Sequence, residues 1–290
     1  MGILIVLPIL TVLMFGLGLS LKIEDFKALA YKPKALILGI FGQLVLLPAI
    51  AFLLAELFSL PAIFYLGIIL IACCPGGSSS NVFSRLAGGD VALSITLTAI
   101  SSIVTMFTIP VILSIALGQC SGMEAFLQSE GGIHLPVGNL LIQNILLMFI
   151  PIVAGFVLSR LCPVTAGKLD KIIAKISFPA LMLLATIFFI QHHKTIGENI
   201  ATLGAVITLM LVLSAGIAAL ASRLFRLSAS HRKTIVIEVG MQNAAQAIAI
   251  ATSPFIFNSA EMAIPAILYS LMMNIVLLLY VFFVRRQQKA

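Results

Sequence analysis

The sequence predicts an all-α polytopic membrane protein, and three observations carry that prediction. Of its 290 residues 61% are hydrophobic and only 9% charged, with a mean hydropathy of +1.19, whereas a water-soluble domain carries roughly a quarter charged residues. The apolar residues fall into nine runs, each near the length of about 20 that a bilayer-crossing helix needs. The cations gather in alternate joining segments. Together these exclude a soluble enzyme, a coiled coil and a nucleic-acid module, despite a net charge of +7. The runs are continuous rather than alternating apolar and polar, which excludes a β-barrel.

The nine predicted spans are residues 2–21, 35–57, 63–86, 91–117, 137–158, 172–190, 200–224, 234–256 and 263–284. The first lacks the basic lead and small-residue cleavage site of a signal peptide, and Val6 removes a myristoylation motif after Gly2. Sixteen Lys and Arg fall on one side of this map, among them Lys22, Arg85, Lys171, Arg223 and Arg285; only Lys194 falls on the other. By the positive-inside rule, and with an odd number of spans, the carboxyl terminus is cytoplasmic and the amino terminus outside. His192, His193, Lys194 and Glu198 are expected in a solvated external loop. Cys73, Cys74, Cys120 and Cys162 show no metal-ligand spacing.

Two spans are interrupted. In the third, Cys73-Cys74-Pro75-Gly76-Gly77-Ser78-Ser79-Ser80-Asn81 joins a helix-breaking proline to two glycines and four polar side chains. In the eighth, Glu238-Val239-Gly240-Met241-Gln242-Asn243 sets a carboxylate, a glycine and two amides within an apolar run. Backbone freed at membrane depth must be satisfied by protein or a water-filled cavity. Pairing spans one to four with six to nine sets break opposite break, and partners cross in opposite directions. The halves 1–117 and 172–284 are thus an inverted repeat, whose paired broken helices point to a transporter's binding site.

Glu238 alone of ten acidic residues lies within the membrane on this map. An unpaired charge there costs about 2.5–3.5 kcal/mol even on the lenient insertion scale, and no intramembrane Lys or Arg is available, so a proton or a metal cation must neutralise it. Ser94 and Thr98, four residues apart, share a helical face, and Gln43 interrupts the second span. Hydroxyl, amide and backbone oxygens around one carboxylate suit a hard cation, sodium rather than zinc or copper. Gln143, Asn144 and Thr105 read instead as hydrogen-bonding glue between helices.

On Phe15-Gly16-Leu17-Gly18-Leu19, Gln43 before Pro48, Cys73 through Asn81, Ser94 with Thr98, and above all Glu238 through Asn243, the sequence resembles the bile acid:sodium symporter family over essentially its whole length. The resemblance implies a panel domain (1–34 and 137–199) and a core domain (35–136 and 200–290) within one transporter unit, with the two broken helices crossing in the core behind a substrate cavity. It implies one sodium ion on Ser80, Asn81, Ser94, Thr98 and Glu238, and a second on Gln43, Glu238, Val239, Met241 and Gln242, with backbone carbonyls serving at the apolar positions. Substrate is implied near Ser78, Ser79, Asn243 and Asn274, close to half-helix amino termini. Ser78 stands where many relatives have threonine. Ten-helix bacterial relatives carry an additional amino-terminal helix; this chain starts where their second would, with nine spans as in the animal carriers.

The function expected is sodium-coupled import of an organic anion, a bile-acid-like steroid conjugate or a small carboxylate such as pantoate, at a bacterial plasma membrane. One carboxylate, two sodium ions and a monoanion sum to zero charge, so the loaded cavity is neutral and loading is coupled. The alternative is a proton-coupled anion exchanger or sodium/proton-antiporter-like carrier, with Glu238 binding a proton; a thiophilic carrier using Cys73 or Cys74 is more distant. An enzyme is not expected, because one intramembrane carboxylate and no HExxH or GxGD motif leave no catalytic pair.

Overall fold

The computed structural model describes residues 3–21, 23, 33–77, 79–119 and 137–289. Helices account for nearly all of them, and no strand occurs among the described residues. In chain order they are α1 (Ile3–Ser20), α2 (Pro33–Leu57), α3 (Ala62–Cys73), α4 (Ser80–Leu86), α5 (Val91–Gln119), α6 (Gly138–Leu161), α7 (Pro163–Gln191), α8 (His193–Leu224), α9 (Ala229–Gly240), α10 (Ala244–Thr252) and α11 (Ile264–Lys289). Among the described residues five helices, α2, α5, α6, α8 and α11 with the short turn before it, are long and apolar enough to cross a membrane.

Burial runs opposite to that of a water-soluble protein. Leu53, Val111, Leu220 and Phe283 are each more than half exposed on the outside of the bundle, whereas Ser94, Thr98, Gln43 and Glu238 are enclosed. This is the partition a hydrocarbon solvent imposes: polar groups must find partners inside the protein.

Proline and glycine punctuate the helices where the sequence places them. Cys74, before Pro75, is extended (φ −67°, ψ 156°) and ends α3; Ser253, before Pro254, does the same after α10. Gly88 takes φ 68° after α4, and the Gly89 N–H returns to the Ser84 carbonyl at 2.7 Å. Two wide π-turns, Gly42–Leu46 within α2 and Ile145–Phe149 within α6, were not foreseen. Each lies just before Pro48 or Pro151, whose ring clashes with the carbonyl four residues back. The helix accommodates it by inserting one residue into the turn.

Several predicted boundaries are corrected. The sixth predicted span, begun at 172, is part of a helix starting at Pro163; the seventh, begun at 200, starts at His193. The expected loop around His193, Lys194 and Glu198 is therefore helical, with His192 alone separating α7 from α8. A formed helix extends through polar residues at little cost once nucleated, so loss of apolarity marks where a span leaves the membrane, not where the helix stops.

Helices α1, α6 and α7 pack mutually. Helix α8 lies on α9, α11 and α2; α3 lies on α2, α5 and α11; and α5 lies on α4 and α9. The α1–α6 contact is backbone to backbone: a Cβ at Gly18 would stand 2.1 Å from the Ile152 carbonyl oxygen, and one at Gly155 would stand 2.2 Å from that of Phe15. Small residues let membrane helices approach this closely. Gly155→Ala is expected to destabilise the detergent-solubilised protein by about 1–3 kcal/mol, read as a lower thermal midpoint. Gly167→Ala, at a position with open space around it, should leave the midpoint unchanged or raised.

Candidate functional site

The two helix breaks meet. Gly77 N–H donates to the Met241 carbonyl (3.0 Å), Asn243 N–H donates to that of Pro75 (2.8 Å), and Gly76 pairs antiparallel with Gln242. Each break supplies partners for backbone the other has freed, which is how irregular chain survives at such depth. Two further groups complete the set: the Tyr269 hydroxyl donates to the Gly240 carbonyl at 3.0 Å, and Gly76 N–H donates to Ser101 Oγ at 3.3 Å.

Glu238, in the last turn of α9, is fully enclosed beside this crossing. Ser94 Oγ donates to its Oε1, and Thr98 Oγ1 donates to Oε2 at 3.0 Å. Ser80 Oγ, at the start of α4, lies 3.3 Å from both the Ser94 and Thr98 hydroxyl oxygens, and Ser84 Oγ donates to Ser94 Oγ at 3.3 Å. Among the described residues no basic side chain pairs with the carboxylate. Two elements, α4 and α5, therefore surround the buried acid of α9 with hydroxyls beside the crossing.

Gln43, in the π-turn of α2, approaches the same side of Gly76. A Cβ at Gly76 would meet Glu238 Oε2 at 2.8 Å, Gln43 Nε2 at 3.0 Å and Thr98 Oγ1 at 3.2 Å, so the three groups converge on one glycine. Both amide atoms of Gln43 are buried without a partner, as are Gln242 Oε1 and Asn81 Oδ1. Each orphaned buried polar group costs about 1–3 kcal/mol. Of these amides only that of Gln43 is placed against the carboxylate, and it presents Nε2 there; rotated by half a turn to present Oε1, it would join Glu238 in the oxygen donor set a hard monovalent cation takes.

The expected sodium ligands thus divide. Ser80, Ser94, Thr98 and Glu238 form one hydrogen-bonded cluster. Gln43 brings Nε2 to the same point beside Gly76, and Gln242 donates from Nε2 to the Val239 carbonyl at 3.2 Å, leaving Oε1 free. The Met241 carbonyl accepts from Gly77, and like that of Val239 it keeps a second lone pair. Asn81 has no hydrogen bond to the cluster among those present.

Of the expected substrate residues, Ser78 lies outside the described residues. Ser79 and Asn81 open onto a cavity of about 550 Å³ between α1 and α7 on one wall and α4 and α5 on the other, with Leu13, Leu17, Arg85 and Lys171 also lining it. Asn243 and Asn274 do not line it. Asn243 instead caps α10, its Oδ1 accepting from Gln246 N–H at 3.1 Å, and Asn274 Nδ2 donates to the Ser270 carbonyl at 2.6 Å. Ser84, Ser101 and Tyr269 escaped the sequence reading. Ser101 follows Ser94 and Thr98 at spacings of seven and three on one face of α5, so its signal was present; nothing in the sequence marked Tyr269.

The model of the Sodium Bile acid symporter family matches residues 7–199. The chain is 30% identical over 270 residues to the sodium-dependent transporter YocS of Bacillus subtilis (strain 168), covering 92% of this chain and 78% of that protein. It is 31% identical over 252 residues to the P3 protein of Mus musculus and 29% identical over 244 residues to a probable sodium/metabolite cotransporter, chloroplastic BASS1, of Oryza sativa subsp. japonica. Those alignments cover 85% and 83% of this chain but only 50% and 57% of the two relatives.

Proposed function

Because the chain belongs to the Sodium Bile acid symporter family, we propose that it imports an organic anion across a bacterial plasma membrane, driven by two sodium ions that bind at the helix crossing. It is a transporter, not an enzyme. The observation that carries the proposal is Glu238: a carboxylate with no basic partner among the described residues, ringed by hydroxyls and close to the unpartnered buried amide of Gln43. In the first site Ser80, Asn81, Ser94, Thr98 and Glu238 hold one ion. In the second, Gln43, Glu238, Gln242 and the carbonyls of Val239 and Met241 hold the other. Glu238 belongs to both, so filling either site favours the charge balance of the next.

In this reading the chain crosses the membrane nine times, α3 with α4 and α9 with α10 each forming one interrupted span of an inverted repeat. The mutual packing of α1, α6 and α7 supports their role as the panel, with the remaining helices as the core. The cavity reaches the end of the bundle bearing Arg85 and Lys171, which the positive-inside rule makes cytoplasmic, so the conformation is inward-facing. Its volume lies in the range of small-molecule sites, and its largely apolar walls, with Arg85 and Lys171 against the single acid Asp170, suit an amphipathic organic anion. Ser79 lines that cavity, and Ser78, Asn243 and Asn274 would meet the anion only as panel and core exchange positions.

Two measurements test this. Replacing sodium by choline at fixed pH should abolish uptake of the anion; undiminished uptake would establish the proton-coupled alternative. Two sodium ions carried with one monoanion move net positive charge inward, worth about 2.3 kcal/mol per 100 mV, so an inside-negative potential should accelerate uptake. A screen of organic anions by thermal shift, with and without sodium, identifies the substrate, since a ligand bound only by the folded protein raises its apparent stability.

A further inference from the structure

A second polar zone lies away from the ion cluster, where α6 meets α10. Asn139 Nδ2 donates to the Phe255 carbonyl at 2.9 Å, and Gln143 Nε2 reaches the Ala249 carbonyl at 3.5 Å. Ser253 Oγ donates to Gln143 Oε1 at 2.7 Å, and Gln246 Nε2 donates to Asn144 Oδ1 at 3.4 Å. Asn139 and Gln143 are one turn apart on α6, while Gln246, Ala249 and Ser253 follow one face of α10 and its exit. Every one of these bonds crosses between the same two elements.

The seam is incompletely satisfied. Asn144 Nδ2 and Gln246 Oε1 are buried without partners, although the residues are 2% and 0% exposed. Hydrogen-bonded amides and hydroxyls also glue permanent membrane contacts, but there buried polar atoms rarely lack partners; a contact that must separate can leave such atoms for water to satisfy once it opens. The seam also sits opposite the cavity. Where α1 and α7 stand away from α4 and α5 a void opens; where α1 packs on α10, and side chains of α6 bond to α10 and its exit, the bundle is shut.

We infer that Asn139, Gln143 and Asn144 on α6, with Gln246 and Ser253 on the α10 side, form the outer gate. They are positioning residues whose hydrogen bonds hold the external side closed while the cytoplasmic side is open. The inference rests on the alternating-access reading above. The orphaned amide pair keeps the closed state only modestly favoured, so that sodium arriving from outside shifts the balance toward opening.

The test is labelling of full-length protein in right-side-out vesicles by a membrane-impermeant maleimide, in a Cys120→Ser background. Ala249→Cys reports the seam, and Ala55→Cys, equally buried but remote from it, reports general loosening. Adding Gln143→Leu with Ser253→Ala should raise labelling at 249 about tenfold, the effect of losing one to two such bonds, and leave labelling at 55 unchanged. The same pair should lower the external sodium concentration for half-maximal uptake. Unchanged labelling at 249, or an equal rise at both positions, overturns the gate. Labelling needs no transport, so a chain that proved not to be sodium-coupled would still answer the question of the gate separately.

Discussion

Glu238→Ala is expected to abolish sodium-dependent uptake and sodium-dependent thermal stabilisation together, while the variant still inserts and purifies. Among the described residues the carboxylate is the only charge at the crossing that can offset a bound cation, and an uncompensated intramembrane charge costs about 2.5–3.5 kcal/mol. That is about a hundredfold in affinity for each ion that depends on it. Without sodium the folded state should lose little. Removing the acid leaves the Ser94 and Thr98 hydroxyls short of an acceptor, but it also removes a buried carboxylate, and these effects oppose each other. Glu238→Gln keeps an oxygen facing Thr98 without the charge, so it separates geometry from electrostatics: loss of the sodium response there too assigns the role to charge. A Glu238→Ala protein that takes up its anion with normal sodium dependence, or is stabilised by sodium as the wild type is, would refute the assignment.

The division between what the sequence discloses and what it hides follows from the range of the interactions. The two breaks are legible because Pro75, Gly76, Gly77 and Gly240 act locally on the backbone, and Glu238 is legible because a carboxylate in an apolar run has no indifferent explanation. Ser94, Thr98 and Ser101 are legible as a face by spacing alone. That the breaks bond to one another, Pro75 to Asn243 and Gly77 to Met241, is not, because those residues are more than 160 positions apart and single-chain periodicity carries no information on pairing. The π-turn that presents Gln43 depends on Pro48 and on Val239 packing against Gly42, where a Cβ would come within 2.6 Å; half of that cause is tertiary. Gln143 and Asn144 read as glue between helices from sequence. Their partners Gln246 and Ser253, and the orphaned atoms between them, give that seam a specific place in the transport cycle.

Gly76→Ala should be nearly as damaging as loss of the acid, although it removes no ligand. The added methyl would stand 2.8 Å from Glu238 Oε2, 3.0 Å from Gln43 Nε2 and 3.2 Å from Thr98 Oγ1. Real side-chain carbons do not come that close to a carboxylate oxygen, so the groups must spread. The acid cannot simply swing away, because Ser94 and Thr98 hold both its oxygens. The hydrogen bond from Gly76 N–H to Ser101 uses backbone, as do the two that tie the breaks together, so the crossing can persist while its interior is filled. The expected phenotype is therefore a folded protein in which sodium no longer raises the thermal midpoint and uptake falls with Glu238→Ala. Gly204→Ala and Gly216→Ala, at positions with open space, should match the wild type in both assays. Gly77→Ala differs again: its methyl would lie 3.1 Å from the Gln242 carbonyl oxygen, pressing on the bridge itself, and should lower stability with or without sodium. If Gly76→Ala responds to sodium at wild-type concentrations, the space between Glu238, Gln43 and Thr98 is not where the ion sits, and the shared-carboxylate arrangement of the two sites fails with it.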